Sequence, residues 1–199
     1  MMADLFGTTT LPGLRLQQNI ISFAEARDLA ARIDAADLTP FRFHAWTGKR
    51  VTASFGWSYD FEAGRPSEGM PIPDWLEPAR AYAARFAEVE PEDLVQALVT
   101  RYDPGAGIGW HRDRPIYDKV IGLSLGAAAV MRLRRRLTNG FARASFPLDP
   151  GGAYLLSGPV RREWEHSIAP VDQTRWSVTF RSSIDPKKDC DSMRRLSQN

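Results

Sequence analysis

Three side chains in the C-terminal half of the sequence could bind one cation. His111 and Asp113 stand two residues apart, and on an extended segment such residues project from the same face. His166 alternates with polar neighbours between Trp164 and Ile168, so these three share one face of a predicted strand. The chain has three histidines and a single cysteine, which excludes thiolate-rich zinc sites and iron–sulfur clusters.

Two imidazoles and one carboxylate are the ligand set that binds Fe(II) in non-haem oxygenases and leaves further coordination positions open. A histidine among apolar neighbours is also typical of a hydrogen-bonded core residue. The three residues by themselves therefore leave both interpretations open.

The last predicted strand favours the iron site. Residues 175–181 alternate with a period of two, so one face is apolar and the other is polar. The polar face carries Arg175 and Arg181, roughly 20 Å apart at ~3.3 Å per residue, whose long side chains could lean together around a short dicarboxylate. The alternative is an exposed face with both arginines in water. Beside an iron site, such a clamp fits 2-oxoglutarate, which chelates the metal through its C1 carboxylate and ketone.

Helices precede the strands that must position these residues. Ser22 and Glu25 form a capping box, which predicts a helix that ends near Asp37. Asp74 as a cap, with Glu77, predicts a second helix that ends near residue 89. Residues 40–73 between them are rich in aromatic residues, Gly and Pro, which predicts a short hairpin or two and long loops.

After residue 91 the pattern changes to short apolar runs separated by turn signals. Because no segment of helical length divides them, they predict an antiparallel β-sandwich or barrel. The runs are 94–102, 119–125, 129–137, 141–148, 153–157, 163–168 and 175–182.

Composition limits the class of protein. The 199 residues suit one globular domain, and the charge of +2, from 26 Lys and Arg against 24 Asp and Glu, is too small to name a partner. We expect a cytoplasmic protein, because no apolar run approaches membrane length and no basic and apolar leader opens the chain.

Six ordered blocks of the sequence resemble the AlkB family of Fe(II)/2-oxoglutarate dioxygenases. They are RYDPG at 101–105, HRD at 111–113, IGLSLG at 121–126, GPVR at 158–161, WEHSI at 164–168 and RWSVTFR at 175–181. The resemblance implies an α+β, mainly β fold with a double-stranded β-helix (jelly-roll) core over residues 93–184. N-terminal helices and a substrate lid would occupy residues 1–92, and residues 185–199 would form a polar tail of the same structural unit.

The resemblance also implies roles for individual residues. His111, Asp113 and His166 would be the iron ligands. Arg175 would bind the distal carboxylate of 2-oxoglutarate, Arg181 would lie near its C1 carboxylate, and Tyr102 would donate a hydrogen bond to it. Thr100 and Ser177 stand where the best-known bacterial repair enzyme of the family has asparagines, and both can still hydrogen-bond the cosubstrate.

In AlkB-like enzymes the segment before the β core forms a lid, here residues 40–73. Four of its aromatic residues could stack on an extruded base: Trp46, Phe55, Trp57 and Tyr59. We expect at least half of the aromatic residues to be core packing, with Trp57 and Tyr59 lining the pocket. A basic cluster could follow a nucleic-acid backbone or simply be a solvated surface: Arg132, Arg134, Arg135 and Arg136.

The resemblance implies oxidative demethylation of N-alkylated bases in DNA or RNA. The reaction would use Fe(II), 2-oxoglutarate and O2, and would release an aldehyde, succinate and CO2. The same chemistry on a protein or small molecule is one alternative, and a non-enzymatic nucleic-acid-binding β-barrel is another. We expect a monomer with no membrane partner, and His44 stays unassigned.

Overall fold

The structure is a computed structural model that describes residues 11–43, 46–60 and 65–184. Within these residues the chain forms two antiparallel sheets and three α-helices. In chain order the elements are β1 (Leu14–Gln17), α1 (Phe23–Asp34), β2 (Thr39–Phe43), β3 (Trp46–Asp60), β4 (Arg65–Glu68), α2 (Glu77–Ala87), β5 (Leu94–Tyr102), β6 (Ile108–His111), β7 (Tyr117–Gly126), β8 (Ala129–Arg136), β9 (Phe141–Leu148), β10 (Ala153–Leu156), α3 (Gly158–Glu163), β11 (Glu165–Ile168) and β12 (Arg175–Ser183).

The described strands divide into a major and a minor sheet. The major sheet has the order β1-β10-β7-β12-β5-β3-β2, with β4 paired to the far end of β3. The minor sheet has the order β6-β11-β8-β9. All the strand pairs are antiparallel, and helices are few, which confirms the mainly β prediction.

Two apolar cores cover the two faces of the major sheet. On one face, α1 and α2 pack against Val178, Phe180 and neighbouring residues of the central strands. On the other face, a second cluster joins the two sheets and includes Leu133 of β8 and Tyr154 of β10. Because side chains alternate along a strand, the polar residues of β12 project into the space between the sheets.

The helices begin and end close to their predicted positions. The capping box of Ser22 and Glu25 is present at the start of α1, which ends three residues before the predicted Asp37. The prediction that Asp74 caps the second helix was wrong. Asp74 begins a short 3₁₀ turn, and α2 follows it without a side-chain cap, with proline in its first turn, where a missing N–H costs least.

The short hairpins predicted over residues 40–73 are present as β2–β3 and β3–β4, whereas the long loops predicted with them were wrong. This region contains β3, a strand of 15 residues that pairs with β2 and β5 and then with β4. The change of partner comes at Gly56, whose φ of +77° is left-handed and whose Cβ would lie 2.3 Å from the carbonyl oxygen of Val95. Glycine is the residue that tolerates both conditions, so Gly56 allows the strand to change partner at this position.

Three short elements were absent from the sequence prediction: β1, β6 and α3. Each has only four to six residues, and the two strands form through pairing with β10 and β11, far along the chain. Such elements have too little local pattern to be predicted. In the described part of the chain, every helix is too short or too polar to span a lipid bilayer.

Candidate active site

The two histidines of the predicted ligand set lie side by side on the minor sheet. His111 ends β6 and pairs in register with His166 of β11, so both imidazoles project from the same face. Their ring centroids are 4.2 Å apart. The Nδ1 atom of His111 lies 2.9 Å from the carbonyl oxygen of Gly109, a contact in which Nδ1–H donates and Nε2 keeps its lone pair.

Asp113 completes the group from the loop that follows β6. Its Oδ2 atom lies 3.5 Å from Nε2 of His166. Its Oδ1 atom accepts from Nε and Nη2 of Arg181 at 2.8 and 2.7 Å. Oδ2 is buried and accepts no hydrogen bond in the described structure, which leaves it available to a cation.

The protonation states of this group suit a metal. Burial lowers the pKa of His166 to about 4, so the imidazole is neutral near pH 7. Burial raises the pKa of Asp113, but neighbouring charges, that of Arg181 foremost, outweigh it and hold the pKa well below its usual range. Carboxylate oxygens and imidazole nitrogens are donors that Fe(II) takes.

The donor atoms of these three side chains do not yet converge at metal-binding spacing. Among the described residues, no three His, Cys, Asp or Glu side chains are grouped closely enough to hold a metal ion as they stand. The two imidazole rings stand at an interplanar angle of 56°. The chemistry of the donors, one carboxylate and two imidazoles, fits Fe(II).

A polar face of the major sheet lies opposite the histidines. Strand register places four polar rows across β5, β12 and β7, and the members of each row share a face. The rows are Tyr102 with Arg175, Thr100 with Ser177 and Ser124, Leu98 with Thr179 and Gly122, and Gln96 with Arg181. The predicted cosubstrate residues are therefore brought together on one surface.

Arg175 occupies one end of this face and lacks partners for most of its donors. The residue is 1% exposed, and its Nη2 donates to the hydroxyl of Ser124 at 3.1 Å. Its Nε and Nη1 are buried without a hydrogen-bond partner. The guanidinium stands 5.1 Å from the ring centroid of Tyr102, which is itself buried. A buried cation with free donors fits a carboxylate that accepts charge-assisted hydrogen bonds from the guanidinium.

Arg181 occupies the other end, and protein groups satisfy all three of its nitrogens. Beside the two bonds to Asp113, its Nη1 donates to Oε1 of Gln96 at 3.0 Å. Arg181 was predicted to lie near the C1 carboxylate of the cosubstrate, and its ion pair with Asp113 was not predicted. The structure shows that it binds a predicted metal ligand directly.

Two site residues were missed by sequence reasoning. Tyr154 of β10 lies over Gly122, where a Cβ would stand 2.2 Å from its ring, and burial raises its pKa to about 12. Arg161 of α3 is buried and donates from Nη2 to the carbonyl oxygens of Arg114 and Tyr117, on the loop that carries Asp113. A tyrosine beside a buried glycine and an arginine near a histidine are weak signals without the fold.

The aromatic residues predicted to contact substrate are divided by the structure. Phe55 packs in the helix-covered core, edge-on to Trp75 with centroids 6.2 Å apart, and is not part of the polar face. Trp57 is 7% exposed and lies on β3 directly after Gly56. Trp46 and Tyr59 are also on β3, but their side chains lie outside the description, and His44 is outside the described residues.

The basic cluster on β8 is split between the two faces of the minor sheet. Arg134 neighbours Leu133, which pairs in register with His166, so Arg134 projects from the opposite face to the histidines. Arg135 projects from the histidine side and binds Glu163 at 2.7 Å. The arginines therefore do not form one continuous surface.

A sequence model of the 2OG-Fe(II) oxygenase superfamily matches residues 13–196. The chain belongs to the 2OG-Fe(II) oxygenase superfamily. This oxygenase therefore uses Fe(II), 2-oxoglutarate and O2, which confirms the predicted cofactors and enzyme class. The alternative of a non-enzymatic β-barrel is wrong. None of the curated protein sequences matches the chain.

Two solved structures share the fold of the oxygenase. OsALKBH1, an AlkB-type protein by name, is 15% identical with a TM-score of 0.63, and the alignment covers 88% of this chain and 99% of that chain. A prolyl-4-hydroxylase from Pseudomonas putida is 18% identical with a TM-score of 0.59, and the alignment covers 86% and 92% of the two chains. The prediction of an AlkB-like double-stranded β-helix is thereby confirmed as a fold.

Proposed function

We propose that this oxygenase oxidatively removes alkyl groups from N-alkylated bases of DNA or RNA, and that it acts as a monomer. The site assignment rests on one observation: a buried Arg175 with two free donors lies on the polar face opposite His111, Asp113 and His166. The choice of substrate rests on the sequence resemblance to AlkB enzymes and on the fold shared with OsALKBH1.

In this proposal His111, Asp113 and His166 hold the iron. Arg181 fixes one oxygen of Asp113 and directs the other towards the ion, and the Gly109 carbonyl orients the His111 ring. Both contacts position ligands and leave their metal-binding atoms free. When bound, iron with 2-oxoglutarate and O2 supplies the oxidation of a substrate C–H bond.

Of the three guanidinium nitrogens of Arg175, the two that lack a protein partner are free to donate to the distal carboxylate of 2-oxoglutarate. Ser124 holds the third nitrogen in place, and the ring of Tyr102 covers the guanidinium. Tyr102, Thr100 and Ser177 offer hydroxyl groups to the same ligand. Since these residues are almost fully buried, the pocket excludes water from the cosubstrate.

Trp57 and Tyr59 of β3, with Trp46, are the candidates for stacking on a base that has left its helix. An N-alkyl carbon that gains a hydroxyl group releases an aldehyde and restores the base. The chain's contribution is to orient the alkyl group towards the iron, because no side chain must act as a nucleophile or general base.

A protein substrate is the second candidate, and one observation favours it. The prolyl-4-hydroxylase from Pseudomonas putida has the same fold and a similar TM-score. The same iron and cosubstrate residues would then hydroxylate a side chain of a polypeptide.

Two experiments test the proposal. Anaerobic addition of Fe(II) and 2-oxoglutarate should give a visible charge-transfer band, which His111→Ala and Asp113→Ala should abolish while Arg112→Ala, an exposed neighbour, retains it. Absence of the band in the unaltered protein would contradict the site assignment.

The substrate is tested by mass spectrometry of methylated DNA and RNA oligonucleotides after turnover. Formaldehyde and a restored base are expected from at least one oligonucleotide. If none is oxidised and a peptide library gains 16 Da instead, about one oxygen atom, the protein substrate replaces the nucleic acid.

A further inference from the structure

The outer face of the minor sheet carries a second charged surface, separate from the iron site. We name it the arginine face: Trp110, Arg132, Arg134, Arg136, Phe141, Arg143 and Glu165. Residues of β8 and β9 pair directly here, Arg134 with Arg143 and Arg136 with Phe141. Leu133, which pairs with His166, points to the opposite side, so the arginine face and the histidines lie on the two surfaces of one sheet.

The arginine face carries more positive charge than its single acidic residue can balance. Arg134 and Arg143 stand directly opposite each other, an arrangement of like charges that weakens a sheet. Glu165 binds Arg134 at 2.6 Å. In the described part of the chain, Arg132, Arg136 and Arg143 form no salt bridge. The face thus carries a net charge of +3, whereas the whole chain carries +2.

Aromatic rings separate the guanidinium groups. Arg132 and Arg134 lie 5.3 and 4.5 Å from the ring centroid of Trp110. Arg134, Arg136 and Arg143 lie 4.7, 5.3 and 5.8 Å from the ring centroid of Phe141. Flat guanidinium and aromatic groups on an open sheet offer stacking surfaces for bases between charges that bind phosphates.

The edge of the minor sheet connects this face to the iron site. Trp110 and His111 are consecutive on β6, so one projects to the arginine face and the other towards Asp113 and His166. Among the described strands β6 pairs only with β11 and forms the edge. A Cβ on Gly109 of β6 would meet no atom within 4 Å, so this edge is open.

We propose that the arginine face binds single-stranded nucleic acid, and that the strand passes over the β6 edge to present a base at the iron site. The charge and the alternating aromatic rings favour a polynucleotide over an acidic peptide, because a peptide offers no run of flat bases. This inference rests on the proposed function, since it names where that substrate is held outside the pocket.

The test measures binding of a fluorescent 20-residue oligothymidylate and an oligouridylate, with a chelator present and no 2-oxoglutarate. Arg136→Gln with Arg143→Gln should weaken binding about tenfold and lower the slope of log K against log salt by roughly 1.4, about 0.7 per lost phosphate contact. Phe141→Leu should weaken binding by about tenfold and leave the salt slope unchanged.

A matched control is available on the helices. Arg27→Gln with Arg85→Gln removes the same charge from two exposed arginines that also lie over aromatic rings, Phe23 and Tyr82. This double variant should bind like the unaltered protein. Thermal unfolding of every variant identifies any change that comes from lost folding.

Equal loss in both double variants, or no binding by the unaltered protein, would overturn the inference. The inference would also be overturned if Phe141→Leu weakened the binding of heparin as much as it weakened the binding of the oligonucleotides, because heparin has no bases that could stack on the ring. The assay needs neither iron nor turnover. If the protein binds the oligonucleotides but does not demethylate them, only the proposed function is contradicted. If it demethylates them but does not bind through the arginine face, only the inference about that face is contradicted.

Discussion

The two ends of the buried polar face differ in how their arginines are balanced. Arg181 donates from all three nitrogens to protein oxygens, and its charge faces the carboxylate of Asp113. Arg175 is more deeply buried than Arg181, yet it has one hydroxyl partner and two donors with none. Both arginines stand on the same face of β12, six residues apart.

This difference separates a structural ion pair from a ligand-binding cation. A buried charge whose partner is part of the protein contributes to a complete network in the folded state. A buried charge without a partner is costly and persists where a ligand supplies the missing acceptor. We expect Arg181 to matter most for folding and Arg175 to matter most for binding 2-oxoglutarate.

The largest effect should come from Arg181→Met. This change leaves Asp113 buried without its cation, so we expect the free energy of unfolding to fall by about 3–5 kcal/mol. Chemical denaturation of the metal-free protein measures it. Adding Asp113→Asn to the same chain should recover part of the loss, and an unfolding energy that Arg181→Met leaves intact would contradict the comparison.

Arg175→Met should show the reverse pattern. Because a buried cation without a full set of partners is costly, its removal should leave the free energy of unfolding of the ligand-free protein undiminished or raise it. The affinity for 2-oxoglutarate should fall by about 2–3 kcal/mol, roughly 30- to 150-fold. Anaerobic titration of 2-oxoglutarate into the Fe(II)-loaded protein measures the affinity.

In that titration, succinate separates the contribution of the distal carboxylate from that of the ketone that chelates iron. It keeps the distal carboxylate but lacks the ketone that chelates iron. Arg175→Met should weaken succinate by a similar factor, and an unchanged affinity for both ligands would show that Arg175 does not bind this carboxylate.

Ser124→Ala should have the smallest effect and should sharpen the assignment of the Arg175 end. The hydroxyl of Ser124 accepts from Nη2 of Arg175 and donates to the carbonyl oxygen of Leu148. Its loss should weaken 2-oxoglutarate by about 1 kcal/mol, roughly fivefold, by leaving the guanidinium less well oriented.

The control for this substitution is Ser145→Ala. Ser145 is exposed on the outer face of β9, and its replacement should leave the titration unchanged. A fivefold loss at Ser145 as well would mean that the titration reports general damage and not the Arg175 end.

Much of the fold could be predicted from sequence because the strands of the β core have local signals. The runs at 94–102 and 141–148 match β5 and β9 residue for residue, since turn residues bound an alternating pattern on both sides. The full length of β3 was not predicted, because the Gly and Pro residues of 40–73 are turn signals and favoured short hairpins joined by long loops. β6 was missed because four residues with two glycines nearby carry no strand pattern.

The candidate site was only partly predictable. Periodicity put Arg175 and Arg181 on one face, and the ligand roles of His111, Asp113 and His166 stay predictions that the charge-transfer band tests. The pairing of Arg181 with Asp113 joins residues 68 positions apart. A contact of this kind depends on sheet order, which the alternation of one strand cannot specify. The distribution of the β8 arginines over the two faces of the sheet follows from the alternation of side chains along a strand, so it could have been predicted from the sequence.

The place of β12 in the major sheet has a consequence for biosynthesis. This strand comes last among the described elements, yet it lies between β5 and β7. Until residue 183 leaves the ribosome, a nascent chain has two long inner strands with unpaired hydrogen-bonding edges, and such edges are prone to pair with other chains. Arg181 reaches Asp113 only at this step, so the oxygenase gains its buried charge pair and closes its sheet in the same event.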